Sequence, residues 1–265
     1  MTLLLSEKEI DSAVELLKKD ETVVFPTETV YGVGANALRK EAIDKIYLAK
    51  KRPKDNPLIV HVGSIDQVHE IAQVTDIAQK LMEKYWPGAL TLVLNKKEGV
   101  PQVTTAGLPT VCVRMPDNQI AIELINKCGF PLAAPSANIS GRPSATTAHH
   151  VLQDLKGKVS AVIDGGSSRL GIESTVLDLT RSPAAILRPG NITCEQLRED
   201  LENVVCSDTS SDVVKSPGTK YTHYSPRTPV TLCENLDKDY MQELIDDFQG
   251  DVGVIGFSVF KAEVC

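Results

Sequence analysis

The stretch from residue 25 to residue 35 reads FPTETVYGVGA, and it closes a short β-branched and aromatic run at residues 22–25. Such a run predicts a strand, which Pro26 is expected to end. Three hydroxyl side chains follow, and Gly32 and Gly34 would let a ligand approach the backbone closely. The stretch therefore predicts a strand and a hydroxyl-rich loop, with a turn that binds nothing as the simpler alternative.

The same stretch argues against a dinucleotide-binding fold. Residues 32–37 formally match the pattern GxGxxA. That pattern requires its first glycine at the end of a strand and a helix that opens immediately afterwards. Here Pro26 and five further residues separate the strand from Gly32. We therefore reject a Rossmann-type nucleotide site at this position.

Strands and helices alternate outward from this point, which predicts an α/β fold with a twisted mixed β-sheet flanked by helices. Ser6 and Glu9 form a capping-box pattern at the start of a helix over residues 7–19. Further helices are predicted over residues 41–50, 66–72, 75–85, 118–127, 146–155 and 194–202. Further strands are predicted over residues 58–62, 90–94, 110–115, 132–134, 161–164, 175–179 and 185–187.

Length and composition limit the possible classes of protein. The chain has 265 residues and a formal charge of -7, which argues against a basic nucleic-acid coat. Its 42% hydrophobic content is that of a globular protein. The apolar runs are too short to span a bilayer, and the N-terminus lacks the features of a signal peptide, so we expect no membrane association and a cytoplasmic location. The six cysteines are widely spaced, so we expect reduced structural thiols and no metal site.

A change of composition predicts the domain boundaries. Residues 1–205 form the predicted α/β domain, and residues 206–229 are rich in Ser, Thr, Pro and Gly, which is typical of a linker. Residues 230–265 predict a strand, a helix and a strand, the start of a second α/β domain. Some 36 residues are too few for a core of their own, so this short tail either packs on the first domain or belongs to something longer.

Two more segments carry candidate binding residues. Residues 50–54 hold four cations at a predicted helix end, which indicates a polyphosphate site in an acidic chain, although such charges also simply stabilise helix C-termini. Residues 133–144 follow a short apolar strand and offer Ser136, Asn138 and Ser144 as neutral hydrogen-bonding groups, or form only a polar turn. Arg114, at the end of a strand of small and apolar residues, requires an anionic partner, and an anionic ligand is one candidate.

Taken together, several motifs closely resemble the YrdC/TsaC family, the threonylcarbamoyl-AMP synthases. The resemblance runs in order over roughly residues 5–205, and residues 216–226 resemble the linker of the longer, two-domain branch. In that branch a Rossmann-like C-terminal domain follows, of which residues 230–265 would be only the beginning. The motifs are PTETVYG at 26–32, KxRP at 50–53, NPLIVH at 56–61, WPG at 86–88, VRMP at 113–116, PSAN at 135–138 and EST at 173–175.

The resemblance implies a YrdC-like fold and the synthesis of L-threonylcarbamoyl-adenylate from L-threonine, bicarbonate and ATP, with release of pyrophosphate. The product would supply proteins that modify a tRNA adenosine beside the anticodon, while direct tRNA binding stays open. A magnesium ion is expected with ATP. The resemblance places Lys50 and Arg52 at the reacting triphosphate. Around ATP it places Lys50, Arg52, Asn56, Thr110, Ser136, Asn138, Ser144, Arg188 and Tyr221, with Tyr224 nearly as good a choice as Tyr221. Around threonine it places Thr29, His61, Arg114, Ala134 and Ser174.

Two other functions remain as alternatives at this point. The family's fold is also associated with double-stranded RNA, which would make the chain an RNA-binding module, but a charge of -7 and 5% aromatic residues are unfavourable for that role. A related domain also occurs in hydrogenase maturation proteins that transfer carbamoyl groups. Those proteins would need acylphosphatase and zinc-finger segments, which this sequence does not contain.

Overall fold

The computed structural model describes residues 1–206, 224–226, 228–230, 232, 242–243, 245–246 and 252–253. Contacts divide the chain into two units, Met1–Ser225 and Pro226–Cys265. In the second unit, residues 242–243 and 245–246 are helical and lie within the helix expected in the tail. The predicted limits at 205 and 229 stay predictions, since most residues between them lie outside the described part of the chain.

The first unit is built on an eleven-stranded mixed sheet, as the alternation of the sequence predicts. Its strands run in the order β1-β8-β2-β3-β7-β4-β6-β5-β9-β10-β11. They are β1 (Leu3–Ser6), β2 (Val23–Phe25), β3 (Gly32–Asn36), β4 (Ile59–His61), β5 (Leu90–Asn95), β6 (Thr110–Arg114), β7 (Leu132–Ala133), β8 (Ala161–Asp164), β9 (Thr175–Asp178), β10 (Ala184–Arg188) and β11 (Val204–Val205).

Seven α-helices accompany the strands in the described part of the first unit. They are α1 (Ile10–Lys18), α2 (Lys40–Lys50), α3 (Asp66–Ile71), α4 (Asp76–Tyr85), α5 (Gln119–Cys128), α6 (Ala148–Leu155) and α7 (Cys194–Arg198). A 3-10 turn at Glu7–Glu9 leads into α1, and there the Glu9 carboxylate accepts a 2.9 Å hydrogen bond from the backbone N–H of Ser6, as the capping pattern predicts. None of the helices in these described ranges is long and apolar enough to cross a membrane.

Helices cover both faces of the sheet. Along β2, Val23 and Phe25 belong to one apolar cluster and Val24 to the other, and successive side chains of a strand point to opposite faces. The cluster of Val23 and Phe25 is closed by α1 and α5, through residues such as Leu17 and Leu124. The other and larger cluster is closed by α2, α3, α4 and α6. The result is a three-layer arrangement in which the sheet carries the core on both sides.

Three strands were not expected from the sequence. Residues 32–36 form β3 rather than part of a loop, and their glycines permit tight strand packing: a Cβ at Gly34 would lie 2.6 Å from the ring of Phe25. β1 and β11 are the edge strands of the sheet, and with four and two residues each is too short to show a clear period of two. The expected loop is therefore shorter and spans residues 26–31.

The expectation that all cysteines are reduced is wrong for one pair. Cys194, at the start of α7, and Cys206, just after β11, form a disulfide that closes a loop with a sequence separation of 12. Cys112 and Cys128 are buried thiols, and burial raises the pKa of each to about 12. The spacing of the cysteines in the sequence did not indicate this disulfide, because the chain returns to Cys194 through β11, a strand that the sequence did not predict.

Candidate active site

A cavity lies where the segments between strands converge on the sheet. Its walls come from the 26–31 loop, the end of α2, the ends of β4, β6 and β10, the segment that follows β7 and the residues that precede β9. The predicted site residues that line it are Thr29, Lys50, Arg52, His61, Arg114, Ala134, Ser136, Asn138, Ser144, Ser174 and Arg188. Motifs far apart in sequence are thus brought into one site.

Lys50, the last residue of α2, is 1% exposed. Its ammonium group donates to the carbonyl oxygens of Ser136 and Asn138, the latter at 2.6 Å. Burial lowers the pKa of Lys50 well below its usual value, and the charge of Arg52 lowers it further. An ammonium has three N–H donors, so one is left for a ligand in the cavity.

Arg52 follows Lys51, which adopts the left-handed conformation that ends α2. Its Nε donates to the Asn56 carbonyl at 3.2 Å and its NH2 to the Pro57 carbonyl at 2.8 Å. Burial lowers the pKa of Arg52 to about 10, and the nearby charge of Arg188 contributes to that shift. The guanidinium stays protonated at neutral pH, and its remaining donors can reach an anion.

Arg114 lies directly opposite His61 across the parallel pair β6 and β4. It is 4% exposed, and three acceptors surround its guanidinium. NH2 contacts the Glu28 carboxylate at 2.6 Å, NH1 donates to the Thr29 hydroxyl at 2.9 Å, and Nε donates to the Gly88 carbonyl at 3.1 Å. Of the five N–H donors of a guanidinium, two remain on NH1 and NH2. A carboxylate that accepts from both would be bound at two points.

His61 is a neutral group in this site. Its ring packs edge-on against the ring of Phe25, with the ring centroids 6.1 Å apart. Burial, together with the charge of Arg114, lowers the pKa of His61 to about 3. Among the described residues its Nδ1 atom has no hydrogen-bond partner. A neutral imidazole nitrogen beside Arg114 can therefore hydrogen-bond a polar group of a bound ligand.

Arg188 and Glu173 shape the remaining wall. The Arg188 guanidinium donates to the Ser174 carbonyl at 2.9 Å and to the Ser174 hydroxyl at 3.1 Å. The Glu173 carboxylate accepts a hydrogen bond from the Ser144 hydroxyl. Tyr224 also lines the cavity, and its hydroxyl interacts with the side chains of Glu173 and Arg188. The backbone N–H of Ser225 donates to the Gly141 carbonyl at 2.9 Å, so this short segment contacts two sides of the cavity.

Some predicted residues are not brought into this wall. As far as the described residues form it, the wall does not include Asn56 or Thr110: Asn56 lies behind Arg52, and Thr110 begins β6 opposite Asn95. Tyr221 lies outside the described residues. The sequence did not indicate Glu28 as a partner of Arg114. The signal available was its position as the one acidic residue between positions 25 and 35.

Metal-binding clusters do not explain the cavity. In the part of the chain that the structure describes, no group of three or more His, Cys, Asp or Glu side chains could hold a metal ion. The cations at positions 50, 52, 114 and 188 instead surround a polar space. The fold and this cavity together define an α/β protein with a concave, cation-lined site suited to an anionic ligand.

Comparisons with known proteins agree with this class. The profile of a family described as "Telomere recombination", which groups Sua5, YciO and YrdC, matches residues 15–190, and a profile described as the C-terminal domain of threonylcarbamoyl-AMP synthase matches residues 192–263. A threonylcarbamoyl-AMP synthase of Pyrococcus abyssi is 46% identical over 270 residues, which cover 98% of this chain and 79% of the relative. One of Bacillus subtilis is 46% identical over 249 residues, covering 92% and 72%.

A solved structure extends the likeness to three dimensions. The crystal structure of Pyrococcus abyssi Sua5 complexed with L-threonine matches with a TM-score of 0.82 at 46% identity, covering 85% of this chain and 69% of that chain. Identity at this level over most of the chain establishes common descent as well as a common fold. The chain belongs to the Sua5/YciO/YrdC family.

Proposed function

We propose that this protein synthesises L-threonylcarbamoyl-adenylate from L-threonine, bicarbonate and ATP and releases pyrophosphate. The observation that carries the proposal is the cavity itself. It brings the buried cations Lys50 and Arg52 together with a separate pair, Arg114 and His61, suited to an amino acid. Relatives that share 46% of their residues with the chain are named for this product, and one of them is solved with L-threonine bound.

The reaction needs no nucleophile from the protein. The neutral amine of threonine attacks the carbon of bicarbonate, a C–N bond forms, and water leaves to give a carbamate. A carbamate oxygen then attacks the α-phosphorus of ATP, and the bond between that phosphorus and the oxygen bridging to the β-phosphate breaks. Pyrophosphate departs with the bonding electrons. The protein therefore contributes positioning and charge stabilisation.

On the amino-acid side, Arg114 presents its two remaining N–H groups to the threonine carboxylate. His61 offers Nδ1 to a polar group of the same substrate, and the hydroxyl-bearing residues Thr29 and Ser174 also line the cavity. Ala134 leaves room for the substrate, since it is small and lines the cavity. These roles follow from donor and acceptor capacity at each position.

On the nucleotide side, Lys50 and Arg52 stabilise the negative charge that develops on the phosphates. Ser136, Asn138, Ser144 and Arg188 add polar side chains to the same cavity, and Tyr224 is the described linker tyrosine that lines it. The lining also fits Mg²⁺ bound mainly by phosphate oxygens and water, because Glu173 is the one carboxylate among the described residues of the cavity wall, with the Ser144 hydroxyl beside it. When bound, the ion would neutralise part of the phosphate charge.

An RNA-binding module explains the site less well. A phosphate backbone is recognised by cations on the surface, whereas Lys50, Arg52 and Arg114 are 1%, 9% and 4% exposed. Buried cations inside a concave site match a small anionic substrate instead. We propose that the adenylate is passed, in the cytoplasm, to proteins that modify tRNA.

The deciding experiment measures pyrophosphate release by the purified chain with ATP, threonine and bicarbonate, and with each omitted in turn. Release that requires all three, with threonylcarbamoyl-adenylate identified by mass spectrometry, supports the proposal. Arg114→Lys serves as the site control, because it keeps the charge but loses the planar fork and should weaken threonine binding more than ATP binding. Release that is indifferent to threonine and bicarbonate would contradict the proposed reaction.

A further inference from the structure

Glu28 is a buried carboxylate that lies behind the amino-acid side of the cavity. It is 3% exposed, it does not line the cavity, and its Oε2 atom lies 2.6 Å from NH2 of Arg114. In the described part of the chain neither of its carboxylate oxygens has a well-aligned hydrogen-bond partner, and the same holds for NH2 of Arg114, so the two groups meet as a close ion pair. A carboxylate loses much of its hydration on burial, so the contact with Arg114 is what compensates its charge.

The contacts of Arg114 fix the plane of its guanidinium. Glu28 at NH2, the Thr29 hydroxyl at NH1 and the Gly88 carbonyl at Nε approach three different nitrogens. Glu28 and Thr29 belong to one tightly bonded loop, where the Thr27 hydroxyl donates to the Val30 carbonyl at 2.6 Å. Two-point binding of a carboxylate requires that plane to be held, because the two N–H groups form a rigid fork.

The same loop is hydrogen-bonded to a second segment that leads to the site. The backbone N–H of Leu170 donates to the carbonyl of Glu28 at 2.7 Å, and that of Gly171 donates to the carbonyl of Thr29 at 3.0 Å. Residues 170–171 lead directly into Glu173 and Ser174, which line the cavity. The side chain of Glu28 thus contacts Arg114, while its backbone carbonyl holds the segment that leads to Glu173 and Ser174.

We propose that Glu28 is the positioning residue of the amino-acid site: its carboxylate holds the Arg114 guanidinium in the orientation that receives the substrate's carboxylate. This inference rests on the proposed function, in which Arg114 binds threonine. Glu28 touches no substrate and acts through Arg114. Glu28 also determines which N–H groups of Arg114 remain available to the substrate, since its own contact occupies one side of NH2.

Charge and position make opposite predictions for this residue. A negative charge beside Arg114 repels an incoming carboxylate, so if charge balance alone mattered, neutralising Glu28 would leave threonine binding unchanged or tighten it. If position matters, losing the contact weakens threonine binding even when the charge is kept. The chain offers both changes in small steps: Glu28→Gln keeps the reach but removes the charge, and Glu28→Asp keeps the charge but withdraws the carboxylate by one methylene.

The test is calorimetric titration of the full chain and each variant with L-threonine and, separately, with ATP. We expect Glu28→Asp to weaken threonine binding about tenfold or more, the usual effect of losing one charge-assisted contact. Glu28→Gln should stay within about threefold of the wild type, because its amide oxygen can accept from NH2 in the same place. ATP binding should stay within about twofold in both variants, which also reports on folding.

Two further variants make the result specific. Glu123→Asp repeats the same shortening at an exposed residue of α5 that pairs with Lys127, and it should change neither affinity. In an Arg114→Lys background the effect of Glu28→Asp on threonine binding should fall to within twofold, because a residue that acts through Arg114 has no separate contribution. An undiminished effect in that background would overturn the inference.

Other outcomes overturn it as clearly. Threonine binding that Glu28→Asp leaves unchanged would overturn the positioning role. So would threonine binding that Glu28→Gln weakens as much as Glu28→Asp or more, because the contact that Gln retains would then not be enough to hold Arg114. Equal weakening of threonine and ATP would make Glu28 a structural residue. If Glu28→Asp does not fold, the Gln variant decides alone, and a tenfold loss of threonine affinity there overturns the inference. A wild-type chain that binds no threonine would instead contradict the proposed function.

Discussion

The ammonium group of Lys50 lies 2.6 Å from the carbonyl oxygen of Asn138, a residue 88 positions further along the chain. This bond joins the end of α2 to the segment that follows β7. Lys50 is therefore both a ligand-facing cation and part of what holds two walls of the cavity together. Its replacement should affect binding and stability at the same time.

Lys50→Met keeps most of the side-chain volume and removes the donors. We expect pyrophosphate release to fall by an order of magnitude or more, and the free energy of unfolding to fall by about 1–3 kcal/mol, because the buried Asn138 carbonyl loses its partner and the Ser136 carbonyl loses one of two. Thermal denaturation and the pyrophosphate assay measure the two effects. Lys54→Met, at an exposed lysine that pairs with Asp44, is the matched control and should change neither quantity much. Normal turnover by Lys50→Met would remove Lys50 from the phosphate site.

His61 should make the protein less stable in mild acid. The unfolded chain binds a proton at this residue near pH 6.5, whereas the folded chain does so only near pH 3, because burial and Arg114 lower the pKa. The unfolded state thus holds more protons between these values, so stability is retained above pH 6.5 and falls as the pH drops below it, by about 1.4 kcal/mol per pH unit. Denaturant titrations of wild type and His61→Asn from pH 8 to pH 5 give the difference. This difference in stability should be constant above pH 7.5 and shrink below pH 6.5. Stability curves that stay parallel over the whole pH range would show that the folded chain protonates His61 as readily as the unfolded chain does.

Tyr224 offers a test of the segment at the edge of the cavity. Tyr224→Phe removes the hydroxyl that interacts with Glu173 and Arg188, so we expect ATP binding to weaken several-fold and less adenylate to be retained. Calorimetry and product yield measure these effects. Tyr85→Phe removes a hydroxyl that also contacts a carboxylate, that of Asp200 at 2.7 Å, but away from the cavity. If the two variants behave alike, the Tyr224 hydroxyl has no role in the site.

The disulfide is testable by chemistry on the unreduced protein. Alkylation in denaturant without reductant should label Cys112 and Cys128 and leave Cys194 and Cys206 unlabelled in a peptide map. Reduction should lower the free energy of unfolding by about 2–3 kcal/mol, the usual value for a loop of this length. Labelling of Cys194 and Cys206 before reduction would show that the bond is not formed in the purified protein.

The sequence predicted the elements with strong periodicity and missed those that depend on tertiary context. Helices such as α4 and α5 appear within two residues of their predicted limits, because capping residues and apolar spacing are local signals. β3 was missed because glycines disfavour a strand locally. The reason for a glycine at position 34 is visible only in the fold, where the ring of Phe25 leaves no room for a side chain. Tertiary packing decided that element.

The candidate site divides in a similar way. Its cations and hydroxyls could be predicted, because the motifs that carry them resemble a known family. The partner of Arg114 could not, since the pairing with Glu28 joins residues 86 positions apart across the sheet. Asn56 and Thr110 show a second limit of the sequence. A motif can place a residue near a ligand without showing whether the side chain of that residue, or that of a neighbour, lines the cavity.

The strands β10 and β11 pair in parallel and are joined through α7, so they form a β-α-β unit. The profile that matches the first part of the chain ends at residue 190, inside this unit, and the next begins at 192. Leu197 and Val204, from the second profile, are buried in the core of the first unit. The segment inherited with the C-terminal part therefore completes the sheet of the N-terminal part. An exchange of C-terminal halves between relatives would succeed only if its junction lay beyond β11, where no strand pairing of the described sheet is cut.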